Sequence, residues 1–343
     1  MKNRIVLSIS SAVVLLVFIL SSCQKTQSSN DINYKAAYVV NGGSNSISVI
    51  DLSSNEVKKT ISLPNVMWPH HISINRLKTM IAIGVPGMDL SGGHSGINNA
   101  GMTGMVAVYD AVKGTELKMI NLSMMNHNAA FSPDGSEIWT ALMDTMGTVK
   151  VYDANTYTLK TTINVGMMPA EITFSADGTM AFVANGMSND VTAINVTSKA
   201  VITTIPVGME PVGAWTGSDN KMYVDNEMGQ TISVIDVSSM TVTATINLGF
   251  MPGMAAYNGT MSELWVSDPD NGKVHWWTKS GNTYAHGGEV ATGAGAHAIA
   301  FNQMTVYITN QLAGSVSVLD VNTHTKLKDI SVGIKPNGIT LKN

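Results

Sequence analysis

Methionine and histidine recur in this chain at matching positions. Met67, Met124, Met167 and Met209 each stand two residues ahead of an equivalent site, occupied by Pro69, Asn126, Pro169 and Pro211. Neighbouring positions add Met125, Met168, Met251 and Met254. Directly after the proline-type site stand His70, with His71 beside it, His127 and, following Ala296, His297. His94 lies in a glycine-rich insertion, residues 85–104. Thioether sulfur is soft and polarisable and suits Cu(I) or Ag(I), whereas imidazole also takes Cu(II) and Zn(II). These spacings therefore predict a copper site with His70, His71, His127 and His297 as inner ligands. Met67, Met124, Met167 and Met209 are expected as outer soft ligands, and Met125, Met168, Met251 and His94 complete the candidate set. No organic cofactor is indicated.

The elements that must position these residues form a repeat. A strand ending near Tyr-Val-x-Asn leads to one ending Val-Ile-Asp, then a Thr/Val-rich strand, then Val-Gly-x-x-Pro. Clear copies are 41–51, 143–153, 185–195, 226–236 and 310–320, with weaker ones ending at Asp110 and Thr278. A period of about 43 residues with four short strands per unit predicts an all-β, seven-bladed β-propeller of four-stranded antiparallel blades. Tyr38-Val39-Val40-Asn41, Tyr223-Val224-Asp225-Asn226 and Tyr307-Ile308-Thr309-Asn310 resemble the YVTN family of propeller repeats. That resemblance spans residues 35–343 and implies the fold; members serve as surface-layer and scaffold domains and are similar to enzymes, so it leaves function open.

Successive loops of a propeller blade emerge on opposite faces. Turns such as Ser132-Pro133-Asp134-Gly135 and Asp153-Ala154-Asn155 belong to one face, where Asp51, Asp110, Asp153, Asp236 and Asp320 read as turn caps. The methionine- and histidine-bearing loops share the other face. Met88, Met102, Met143, Met146, Met187 and Met228 join them there, making 14 of 23 methionines. Glu171, Glu210, Glu227, Asp144 and Asp225 belong to it as well. Residues 336–341 are expected to supply the inner strand of the blade begun by residues 37–62, a 3+1 closure that covers two sheet edges.

At the start of the chain Lys2 and Arg4 precede an apolar run, Ile5 to Leu20, and then Leu20-Ser21-Ser22-Cys23. This reads as a signal peptide over residues 1–22, and its end resembles a bacterial lipobox. Cys23, the single cysteine, would carry lipid, residues 23–34 would form a tether, and the protein would face outward from a bacterial envelope membrane. Loss of Lys2 and Arg4 takes the formal charge from −4 to −6. With no basic run, nucleic acid is not an expected partner.

Three functions fit these residues. The first is copper sequestration or transfer by a membrane-tethered propeller. The second is a non-catalytic envelope scaffold whose methionine-rich face docks a protein, since methionine also serves as gap filler and adaptable contact. The third is a copper- or haem-dependent redox enzyme. Pro69-His70-His71 is similar to the paired histidines of nitrous oxide reductase propellers, but too few axial histidines exist for that cluster. A nitrite-reductase-type haem lacks any Cys-x-x-Cys-His. The sequence thus favours a binding protein over an enzyme. Trp276 and Trp277 are expected as filler between blades.

Overall fold

The computed structural model describes residues 30–94 and 101–343. Cys23 and most of the expected tether lie outside the described residues. The chain divides into two units, Met1–Asp31 and Ile32–Asn343, and the strands all belong to the second. Among the described residues no helix is long and apolar enough to cross a membrane.

Seven four-stranded antiparallel sheets make up the second unit, so the expected seven-bladed propeller is observed. The closure is as expected too. The last strand, β28 (Pro336–Lys342), pairs with β1 (Ala36–Asn41), which continues to β2 (Ser46–Asp51) and β3 (Glu56–Ser62). The other blades run in chain order from inner to outer strand, as in β12 (Pro169–Phe174), β13 (Met180–Asn185), β14 (Asp190–Asn195) and β15 (Val201–Pro206).

Burial follows position in the blade. Every residue of β13 is buried, whereas in β15 only Ile205 is. A second strand such as β13 is covered on both faces by neighbouring blades, which is why it reads as a continuous apolar run instead of an alternation. Each blade contact is a small core of its own. Val106, Val108, Ile138 and Leu142, for example, join the second and third blades. Trp277 and Trp276 pack into two such contacts, consistent with a filler role.

The recurring asparagine has a structural task. Asn41 Nδ2 donates to Ser46 and Ser48 hydroxyls at 3.1 and 3.0 Å, and Asn310 does the same to Ser315 and Ser317 at 3.0 and 2.9 Å. A buried amide is thereby satisfied while it pins the turn between second and third strands. On the opposite face the turn aspartates act as anticipated. Asp51, Asp110, Asp153, Asp236 and Asp320 each accept a backbone N–H from the turn that follows, at 2.7–2.9 Å.

One feature of the loops leading into the inner strands bears on the site. The residue before the proline takes a positive φ at Trp68 (55°), Met168 (51°), Glu210 (53°) and Lys335 (51°). Left-handed backbone at non-glycine residues is costly and persists where surrounding structure enforces it. Here it turns each chain sharply inward, onto the strand that lines the channel.

Candidate metal centre at the propeller axis

His70 and His71 immediately precede β4 (Ile72–Ile74), His127 precedes β8 (Ala130–Phe131), and His297 is the second residue of β24 (Ala296–Asn302). Three inner strands from three blades therefore deliver four imidazoles to one place. Ring centroids of His70 lie 4.7 Å from His71, 4.4 Å from His127 and 5.8 Å from His297. His94, from the insertion between β5 (Met80–Val85) and β6 (Met105–Asp110), sits 4.6 Å from His127. Ligand atoms of His70, His71 and His127 fall within 4.8 Å of one another. The five histidines expected at the channel mouth are thus brought together.

Two glycines allow this approach. Gly84 of β5 bonds His70 and His71 through its backbone while its Cα faces the next blade; an added Cβ would lie 2.5 Å from His127 O and 2.6 Å from Asn128 Cα. Gly338 of β28 would likewise bring a Cβ to 2.9 Å from His71 Cα. Any side chain at either position would push the histidine-bearing backbones apart.

Carboxylates fix the rings. His127 Nδ1 donates to Glu171 Oε1 at 2.7 Å, and His71 Nδ1 donates to the same oxygen. His94 is held through both its backbone N–H (3.1 Å) and its Nδ1 (2.9 Å) on Glu227. His297 Nδ1 donates to Asn337 O at 3.3 Å. With the proton held on Nδ1, the lone pair of each of these rings sits on Nε2. The Nε2 atoms of His70, His71, His94 and His127 are buried and have no hydrogen-bond partner among the described residues.

At His70, His127 and His297 burial favours the neutral ring. Burial, followed by repulsion from neighbouring imidazoles, holds His70 and His127 well below the usual histidine range, and His297 is pushed down to about 3 chiefly by burial. For His94 burial acts downward, but the Glu227 carboxylate outweighs it and the net shift is upward. Burial and then the Glu227 charge push Asp225 well up; Trp215 Nε1, donating at 2.5 Å, opposes this. Neutral imidazoles at His70, His127 and His297, with His71 held by Glu171 and His94 by Glu227, form a donor set matched to a divalent or soft monovalent metal cation once any proton on His94 is displaced.

The methionines divide. Met168 and Met209 line a cavity of about 420 Å³ together with His94, and Met251 lines a smaller one with His94 and His297. Met125 is fully buried in an apolar cluster with Leu90, Met143, Ala170 and Val212. Met124 packs on the core between the second and third blades. Met67 and Met167 are 61 % and 42 % exposed. Equal spacing in sequence therefore does not bring the four expected outer ligands to equivalent places. Sequence reasoning also missed Trp215, Asn337 and the paired roles of Gly84 and Gly338. Only Gly84, inside an otherwise apolar strand, carried a local signal of close backbone approach.

No protein-family model and no curated protein matches this sequence. Among solved structures it is similar to the periplasmic gluconolactonase PpgL of Pseudomonas aeruginosa, with 15 % identity, a TM-score of 0.70, and coverage of 90 % of this chain and 99 % of that one. A putative 6-phosphogluconolactonase of Bacteroides fragilis shares 14 % identity at a TM-score of 0.70, over 91 % and 99 % of the two chains. The dihydro-heme d1 dehydrogenase NirN shares 13 % identity at 0.64, over 89 % and 74 %. The chain is a seven-bladed β-propeller with neighbours of lactonase and other enzymatic types; at these identities the likeness is one of fold alone.

Proposed function

We propose that this protein is a metal-binding propeller whose axial histidines hold copper, for sequestration or transfer. The observation that carries the reading is the set of four buried Nε2 atoms, on His70, His71, His94 and His127, that have no partner among the described residues. Leaving a buried polar atom unpaired costs about 1–3 kcal/mol, and a cation shared among several of them removes that cost. His70, His71 and His127 would be the nearest ligands, with His94 and His297 beside them. Glu171 and Glu227 would orient the rings. Such a metal would supply redox or reversible binding capacity. Further parts of the proposal rest on sequence: membership of the YVTN-type propellers, and a lipid on Cys23 that holds the domain on the outer side of a bacterial membrane.

Titration of the purified domain with Cu(II), followed by absorption and electron paramagnetic resonance, tests the centre. Tight binding is expected in the wild type, and a loss of at least about 100-fold in His71→Ala/His127→Ala with an unchanged circular dichroism spectrum. Equal affinity in the two proteins would remove the site. A protein-docking face is the second reading, favoured by the exposure of Met67, Met187 and Met209, about 60 % each. It predicts partner capture that survives removal of metal.

A further inference from the structure

The larger cavity beside His94 lies where the fourth and fifth blades meet. Its wall includes Met143, Met168, Met187, Met209 and Met228. Two of these positions recur with the repeat: Met187 and Met228 each follow the recurring asparagine by two residues, Asn185 and Asn226, and Met209 precedes Pro211 by two. Burial is graded along the wall. Met187, Met209 and Met228 are 59 %, 59 % and 52 % exposed, whereas Met143 is 2 % exposed. The His94 side chain, at 9 %, is also in the lining.

Gap filling accounts for the inner members. Met125 and Met143 are buried among Leu90, Ala170 and Val212, as a flexible side chain sealing a blade contact should be. It does not account for the three at the mouth, which leave more than half their surface in water and seal nothing. Five thioethers in one cavity wall, ending at an imidazole that adjoins the axial cluster, match the coordination needs of a soft monovalent ion. Thioethers carry no charge and no titrating proton, so their affinity for Cu(I) involves no competing protonation. Beside the sulfurs the wall places Ala170, Pro211 and Val212, and its oxygen donors are Thr145, Asn189 and Glu210, so thioethers outnumber the oxygen groups that a hard cation would need.

Resting on the copper reading of the axial cluster, we propose that this cavity is a second, thioether-based binding site for Cu(I) or Ag(I), and the entry through which Cu(I) reaches His94 and the axial imidazoles. Met187, Met209 and Met228 capture the ion at the surface, and Met168 and Met143 carry it inward. Ligand exchange along the wall replaces one sulfur by the next and finally by imidazole nitrogen, with no change of oxidation state and no other reactant.

The test separates this site from the axial one. In the His71→Ala/His127→Ala protein, calorimetric titration with Ag(I) is expected to retain one tight equivalent, lost when Met187→Leu, Met209→Leu and Met228→Leu are added. Leucine keeps the approximate volume, so folding should be retained, as a melting curve will verify. In the otherwise native chain the same three changes should slow Cu(I) uptake from a bicinchoninate complex at least about tenfold, while equilibrium Cu(II) affinity stays unchanged. Wild-type uptake rates and undiminished Ag(I) binding in the leucine variant would overturn the proposal. Loss of Cu(II) binding in the wild type itself would instead overturn the axial reading and with it the transfer step, and the Ag(I) titration would still decide whether the cavity binds soft metal.

Discussion

The two faces of this propeller use acidic side chains in opposite ways. On the turn face the carboxylates are consumed by the fold. Asp153 accepts from the backbone of Asn155 and Thr156, Asp134 from Ser132 and Ser136, and Asp236 from Lys221 and Ser239. Hydrogen bonds from those donors hold each below the usual carboxylate range, Asp134 and Asp236 at about 2. On the axial face burial raises Asp225 and Glu210, and imidazole nitrogens on the same face lack partners among the described residues. A satisfied polar group explains itself through the structure it stabilises. A buried group left unsatisfied is what the proposed cation would satisfy.

The comparison can be broken or sharpened by experiment, and the largest effect should come from β28. Deleting residues 336–343 removes an inner strand, opens the edge of β1, and takes away Asn337, which bonds His297, Thr309 and Pro69. Both faces should fail together, as aggregation or loss of a cooperative melting transition. A soluble truncation that melts normally would place the strand outside the ring.

Glu171→Gln should divide the faces. It removes the negative charge behind His71 and His127 and leaves a weaker, neutral amide oxygen as their acceptor, so copper affinity should fall about 10- to 100-fold with little change in melting temperature. Unaltered affinity would mean that Glu171 orients nothing.

Gly84→Ala should weaken both properties more moderately. Its methyl group meets backbone at His127 and Asn128, a clash costing roughly 1–3 kcal/mol. Copper affinity should drop because His127 is displaced. A variant of full stability and affinity would show that the blades yield freely at this contact.

The smallest effect belongs to the turn face. Asp236 is charged more readily in the folded state, at about 2, than unfolded, near 3.9. Its contribution is therefore complete above the unfolded value and is lost as pH falls through the folded one. Asp236→Asn should cost about 1 kcal/mol at pH 7 and flatten the decline in stability between about pH 4 and pH 2. Copper affinity should not change. Parallel acid denaturation curves for the two proteins would deny the turn aspartate its role.

Much of this molecule was legible in the sequence because repetition encodes it. The recurring asparagine, the capping aspartates at the ends of the third strands and the inner strand supplied by residues 336–341 are local or periodic signals, and each repeat confirms the next. The same periodicity placed His70, His127 and His297 at equivalent sites, so their convergence at the axis followed from the ring. It could not decide the methionines. Met67, Met124, Met167 and Met209 share one sequence position, yet one packs into a blade contact and three are exposed, of which Met209 lines the cavity at His94. A long flexible side chain takes the direction its neighbours leave open, and those neighbours come from other blades. Tertiary structure alone also set which carboxylate meets which imidazole. Glu171 reaches His127 across one blade boundary and His71 across two, at a distance fixed by how closely the backbones at Gly84 and Gly338 permit adjacent blades to pack.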